Sequence, residues 1–275
     1  MLLLGDIIKK SHPEIFWCLR RLPKSQREAV YTLFAFCRHL TAIMSSSMPK
    51  TEKIDLLNSW QEELDNIYDK NVPSTNIGRK IYKNCMRFSL PKDMWKHMLS
   101  SALANVNKII APSDDEFQTY MYGISVIPLI LYLTIVNNKK PEVNHTLAKY
   151  VGTAVFLTYM LRNIKDDAIN GQMFIPQALL DKYNVRVENP RDMIESKYLS
   201  LAREELAAIA RTNYVKTDRL LSKMNKKDTM VIRLLQNTSF YMFEIMQERG
   251  WEIISPKPRL SWLLRLKILY RTILS

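Results

Sequence analysis

A helical period runs almost without a break along the 275 residues of this chain. Apolar residues recur at spacings of three and four in nearly every segment, and nowhere does the apolar/polar alternation of a half-buried strand persist. That pattern commits the chain to an all-α fold. Only 6 glycines are present, too few for a glycine-rich phosphate loop or a repeat architecture. No internal repeat or linker-like stretch interrupts the pattern, so residues 1–275 read as a single domain with room for a substantial core. Hydrophobic residues make up 47% and charged residues 24%, ordinary values for a globular protein that imply neither a disordered chain nor a multispan membrane protein.

The first strong helix is predicted in "LPKSQREAVYTLFAFCRHL", where Ser25 and Glu28 have capping-box spacing after Pro23. Its apolar stripe reads Val30, Leu33, Phe34, Cys37, Leu40/Thr41, Met44. A second helix, "TEKIDLLNSWQEELDNIYDK", lines up Ile54, Leu57, Trp60/Gln61, Leu64 and Tyr68 and ends at "NVPSTN". Further helices follow in "IGRKIYKNCMRF", in "SLPKDMWKHMLSSALANVNKI" with Pro91 inside its first turn, and in "APSDDEFQTYMYGISVIPLILYLTIV". The segment "NPRDMIESKYLSLAREELAAIARTNYVKTDRLLSKM" is one long helix or a pair, and two last helices are split by "SPKPR".

The longest apolar run, Ile124 to Val136, is broken by Pro128 and falls short of the roughly 20 residues a bilayer needs, so it reads as a core helix. The opening "MLLLGDIIKK" places Asp6 early and has no basic stretch before its apolar run, unlike a secretory signal. Cys18, Cys37 and Cys85, an odd number at unrelated spacings, read as buried free thiols of a reducing compartment. Together these place the protein in the cytoplasm.

Lys and Arg number 40 against 27 Asp and Glu, a formal charge of +13. Such an excess suits an anionic partner, or reflects only the composition bias of a genome. His12, His39, His97 and His145 have no zinc-site spacing. Asp114, Asp115 and Glu116 follow Ser113 where carboxylates favour a helix N-terminus. Asp65 and Asp69, one turn apart, could mimic a metal pair but sit on an amphipathic helix.

The most informative stretch is "LRNIKDDAINGQMFIPQALL". The helix before it, Tyr150 to Leu161, is apolar almost all round and therefore central. It then turns abruptly polar. Residues four apart share a face, so Asn163 and Asp167 continue one line while Arg162 and Asp166 share the next. Either this polar end looks into a cavity, or Arg162 and Asp166 pair and the helix surfaces before Gly171 stops it.

"LRNIKDDAINGQMFIP" resembles the second aspartate-rich motif of the squalene/phytoene synthase family, approximately L-R-D-x-x-x-D followed by G-R-x-Y-L-P. "LPKSQREAVYTLFAFCRHL" is similar to the family's opening, "YMYGISV" to its tyrosine–glycine helix, and "GWEIISPKPRLSW" to its end. The likeness spans essentially the whole chain in order. It implies a helical isoprenoid-synthase bundle around a central apolar tunnel. There two prenyl diphosphates are joined head to head, and aspartates of two facing helices hold Mg²⁺ against the diphosphates. It further implies that Arg38, Tyr120, Tyr122 and Arg259 contact diphosphate.

The sequence departs from the family at the metal ligands. Thr41, Ala42 and Ser45 stand where the carboxylates of the first motif belong. Asn163 replaces the leading aspartate of the second, leaving Asp167 in place with Asp166 beside it, a partial set of metal ligands. Gln172 and Phe174 replace the usual Arg and Tyr.

Three readings stay open. The chain keeps a tunnel for a prenyl diphosphate or polyisoprenoid lipid but has lost ordinary condensation; or it is an active prenyl transferase of phytoene, squalene or presqualene diphosphate synthase type with a rebuilt Mg²⁺ site; or it is an interaction scaffold like the family branch associated with respiratory complex I assembly. Arg38 either touches a diphosphate or is a buried arginine paired with Glu62 or Asp167. No nucleic-acid partner is expected.

The tail carries Lys257, Arg259, Arg265, Lys267 and Arg271 with no acid after Glu252. Trp262, Leu263, Leu266, Leu269, Tyr270 and Ile273 trace an apolar stripe. This helix either contacts a membrane peripherally, at the inner face, or closes the core with a basic outer side.

Overall fold

A computed structural model describes residues 16, 18–137, 140–185 and 189–274. The readings of "MLLLGDIIKK" and of His12 lie outside the described residues, as does the side chain of Ile273. The described chain is helical, and its one β-bridge joins Ile110 to Met173. It divides into two compact units, Met1–Asn107 with Val126–Ala148, and Lys108–Ser125 with Lys149–Ser275.

In the first unit, α1 (Lys24–Ser45) packs against α2 (Lys50–Asp65), α3 (Asn76–Phe88), α4 (Lys92–Val106) and α6 (Ile127–Val136). The buried ring of Phe36 meets Trp60 and Trp95 edge-on, with centroids 5.2 and 5.1 Å away, the favoured arrangement of aromatic quadrupoles. The inward face of α1 is Ala29, Val30, Thr32, Leu33, Phe36, Leu40 and Ile43. It is rotated from the predicted stripe: Phe34, Cys37 and Met44 are only half-buried and Thr41 is exposed. Two aromatic partners on α2 and α4 select Phe36 for the centre, which spacing along α1 could not show. The expected capping box at Ser25 and Glu28 is absent, because α1 starts at Lys24 after Pro23 and Ser25 is already inside it.

Asp65 and Asp69 are not a metal pair. Lys92 reaches Asp65 at 2.9 Å and Asp69 at 2.6 Å, and Lys96 reaches Asp65 at 3.0 Å. Cys18 and Cys85 are buried free thiols as expected, while Cys37 is only partly so.

In the second unit, α5 (Asp114–Met121) opens with a complete capping box. The Glu116 amide donates to Ser113 Oγ, and Glu116 Oε2 accepts from the Ser113 amide. A π-helical turn, Tyr122–Val126, follows, and α6 begins directly after it with Pro128 near its start. Pro128 therefore does not break the run: the widened turn accommodates the missing proline N–H. Asp114–Val136 is one helical stretch of 23 residues whose most apolar 18-residue window has a mean hydropathy of 1.8, long and apolar enough by composition to cross a membrane. Most of it is buried within the protein, as in a core helix.

Helix α7 (Pro141–Ile169) has no exposed residue between Val151 and Asn163. After α7 come α8 (Gln177–Lys182), the short α9 (Pro190–Met193), α10 (Leu199–Leu221), α11 (Lys226–Arg249) and α12 (Trp262–Leu274). Helix α10 packs on α8 and α11, and α11 on α12. The predicted long helix or pair is thus α9 plus α10.

Gly171 ends α7 in the left-handed region, φ 74°. The Gly171 amide donates to Ala168 O and that of Gln172 to Asp167 O, a Schellman motif that satisfies the last carbonyls.

Candidate functional site

On α1 the side chains of Arg38, Thr41, Ala42 and Ser45 share the face opposite the buried one, and all four are exposed. Arg38 is thus not the buried arginine that the apolar sequence suggests, and it pairs with neither Glu62 nor Asp167. Among the described residues it makes no hydrogen bond or ion pair. The Thr41 hydroxyl donates to Cys37 O at 3.0 Å and that of Ser45 to Thr41 O at 2.8 Å. Both hydroxyls are tied into their own helix. Beside them His39 turns inward, edge-on to Trp60, where burial lowers its pKa.

In the second unit the polar end of α7 meets the segment before α12. Lys257 Nζ lies 2.5 Å from Asp166 Oδ2, and this bond holds the Asp166 carboxyl below its ordinary range. Arg162 does not pair with Asp166. Its Nε donates to Pro258 O at 2.9 Å and its Nη1 to Asn163 Oδ1 at 3.1 Å. Burial lowers the Arg162 pKa, and the positive charges of Arg259 and Arg265 lower it further. Arg259 itself is exposed.

Asp167 is half-buried, and its side chain makes no hydrogen bond or ion pair among the described residues. Burial pushes its carboxyl up to about 6, opposed by Lys257 and reinforced by Asp166. The structure thus gathers Asn163, Asp166, Asp167 and Arg259 at one end of α7. Sequence spacing missed the role of Lys257, whose partner is 91 residues away; the only signal was its place in the basic tail.

Tyr120 and Tyr122 part company. Tyr120 is buried, stacked on Phe174 at 5.3 Å and edge-on to Phe156 at 5.8 Å, while Tyr122 is exposed on the π-helical turn. Phe174, where the family has a tyrosine, makes this cluster wholly apolar apart from the Tyr120 hydroxyl. Ser125 Oγ donates to Gly152 O at 2.9 Å, tying the turn to α7.

Mg²⁺ requires carboxylate and phosphate oxygens in near-octahedral array. The end of α7 offers one uncommitted carboxylate, Asp167, next to an Asp166 held by Lys257 and an Asn163 oxygen already accepting from Arg162. The α1 face offers two helix-bonded hydroxyls and no acid. Among the described residues no three His, Cys, Asp or Glu side chains form a group able to hold a metal. These donors do not fit the ion set that the resemblance implies. Of the three cations here, Lys257 is already paired with Asp166 and Arg162 with Pro258 O and Asn163, which leaves the exposed Arg259 to meet an anion.

A squalene/phytoene synthase family model matches residues 8–264. The chain is 23% identical over 235 residues to the presqualene diphosphate synthase of Rhodopseudomonas palustris, covering 85% of this chain and 83% of that protein. It is 22% identical over 235 residues to the 4,4'-diapophytoene synthase of Staphylococcus haemolyticus, covering 83% and 81%. Its fold is like that of a crystallised dehydrosqualene synthase in complex with a ligand, with a TM-score of 0.82 at 17% identity over 98% of this chain and 94% of the other.

Proposed function

The chain belongs to the squalene/phytoene synthase family, and from that premise we propose that it binds a prenyl diphosphate or polyisoprenoid lipid in an apolar tunnel without ordinary Mg²⁺-dependent head-to-head condensation. Members of this family are prenyl transferases that bind prenyl diphosphates and typically use Mg²⁺. The observation that carries the reading is the exposed α1 face, which keeps the cation Arg38 and has Thr41, Ala42 and Ser45 in place of acids. Loss of several metal ligands removes the charge that would stabilise a departing diphosphate, where each such contact is worth about 3 kcal/mol.

On this reading residues 1–275 form one synthase-like domain. Arg38 and Arg259 meet the diphosphate, with Tyr120 and Tyr122 near it, and Asn163, Asp166 and Asp167 are a vestigial metal site. Ligands of this kind partition into bilayers, so the reading carries a cytoplasmic protein in peripheral contact with a membrane.

The test measures binding and diphosphate release together, with farnesyl and geranylgeranyl diphosphate, with and without Mg²⁺. Binding without release is expected, weakened in Arg38→Ala. Mg²⁺-dependent release that disappears in Asp167→Ala would establish a rebuilt active site and sink the proposal. Absence of both binding and release, with a protein partner copurifying, would favour a scaffold.

A further inference from the structure

Helix α12 turns the wrong face outward for a helix that merely closes a core. Its inward contacts are made by Ile268, 1% exposed, and Thr272, 5% exposed. Trp262, Leu263, Leu266 and Tyr270 are instead 68%, 61%, 53% and 67% exposed. At 3.6 residues per turn these four lie within an arc of roughly 100°, with the exposed Lys267 on one flank and Arg265 on the other. The buried face lies on the opposite side. The helix is also held in place: Ser261 Oγ accepts from the Leu264 amide at 3.2 Å, Asn237 Nδ2 donates to Thr272 Oγ1 at 3.1 Å, and Arg271 donates to Tyr241 Oη at 2.8 Å. A preformed apolar ridge binds without the cost of ordering it.

We propose that α12 docks the protein onto an anionic lipid bilayer, with Trp262, Leu263, Leu266 and Tyr270 entering the interface and Arg265 and Lys267 reaching lipid phosphates. Trp and Tyr suit the headgroup boundary, where an apolar ring and a polar edge are both satisfied. The long stems of Arg and Lys let their charges reach phosphate while the ridge is inserted.

Charge decides against a second copy of this chain as the occupant. A two-fold contact would set Arg265 and Lys267 against their own copies on a protein of charge +13. The ridge exposes roughly 500 Å², the size of the largest apolar patch on a typical monomer, often a functional one, and less than the ~800 Å² per partner of a stable interface. The docking rests on the proposed function only in that a bilayer would supply or receive its lipid-soluble ligand.

The full chain is sedimented with phosphatidylcholine vesicles with and without phosphatidylglycerol, and its tryptophan emission recorded. Capture by the anionic vesicles only is expected, with a blue shift that is lost in Trp262→Phe. Leu263→Ser/Leu266→Ser and Arg265→Glu/Lys267→Glu should each weaken capture by about tenfold or more with unchanged thermal melts, since all four positions are exposed. Failure to be captured, equal capture by neutral vesicles, or capture indifferent to these substitutions overturns the docking. So does a dimer that Leu263→Ser/Leu266→Ser dissociates, which would make the ridge a self-interface. If capture fails while farnesyl diphosphate still binds, only the docking falls; if capture holds and no prenyl diphosphate binds, only the proposed function does.

Discussion

An ionised carboxylate that is half-buried and unpaired destabilises the folded state, and Asp167 is such a group. Its pKa is raised from 3.8 to about 6, so the folded chain holds this proton more tightly than the unfolded one. Stability is therefore lost as pH rises through that window and is level above it. Asp167→Asn should leave stability nearly unchanged at the acid end and raise it by about 2 kcal/mol near neutrality, read by urea melts at the two pH values. The same melts probe the metal: Mg²⁺ held at Asp167 would stabilise the parent and not the variant, and no such difference is expected from the donor set. Arg203 is the opposite case, a cation 2% exposed. It donates to Trp251 O and, at 3.4 Å, to Leu161 O, with its guanidinium 5.8 Å from the Trp251 ring centroid. Burial lowers its pKa to about 10. Arg203→Ala leaves a cavity and an unsatisfied buried carbonyl, and should cost about 3 kcal/mol in the same melts.

At the scale of elements, the junction of α2 and α3 depends on one buried acid. Glu63 of α2, 3% exposed, accepts from the amides of Ser74 and Thr75 at 3.1 and 2.8 Å and from both their hydroxyls. Thr75 in turn caps α3 by accepting from the Gly78 amide at 2.8 Å. Burial opposes ionisation of Glu63, but the hydrogen bonds from Ser74 and Thr75 outweigh it and leave the pKa below 4.5. Its stabilisation is thus complete above the unfolded value and lost as pH falls through the lower folded one. Glu63→Gln should cost about 2 kcal/mol at neutral pH, the deficit narrowing in acid, as followed by thermal melts across that range. A β-carbon on Gly78 would come within 1.7 Å of Glu63 Oε1, so Gly78→Ala should also destabilise, by about 3 kcal/mol. Neither residue stood out in the sequence, and only the turn after α2 brings four donors onto Glu63.

Over the whole molecule the charge of +13 repels itself in the compact state. Screening should therefore raise the melting temperature by about 2–5 °C between low and moderate NaCl, a fall instead marking ion pairs such as Lys257–Asp166 as the dominant electrostatics. The helix class, most helix positions, the stop at Gly171 and the missing acids at Thr41, Ala42, Ser45 and Asn163 were determined by the sequence alone, because periodicity, capping geometry and residue chemistry act within a few turns of chain. Tertiary structure alone decided that Phe36 rather than Phe34 faces inward, that Arg38 is exposed, that Lys257 rather than Arg162 holds Asp166, and that the ridge of α12 points out. Each of these depends on which distant segment supplies the neighbour. An amphipathic pattern specifies that a face will be covered, but not by what.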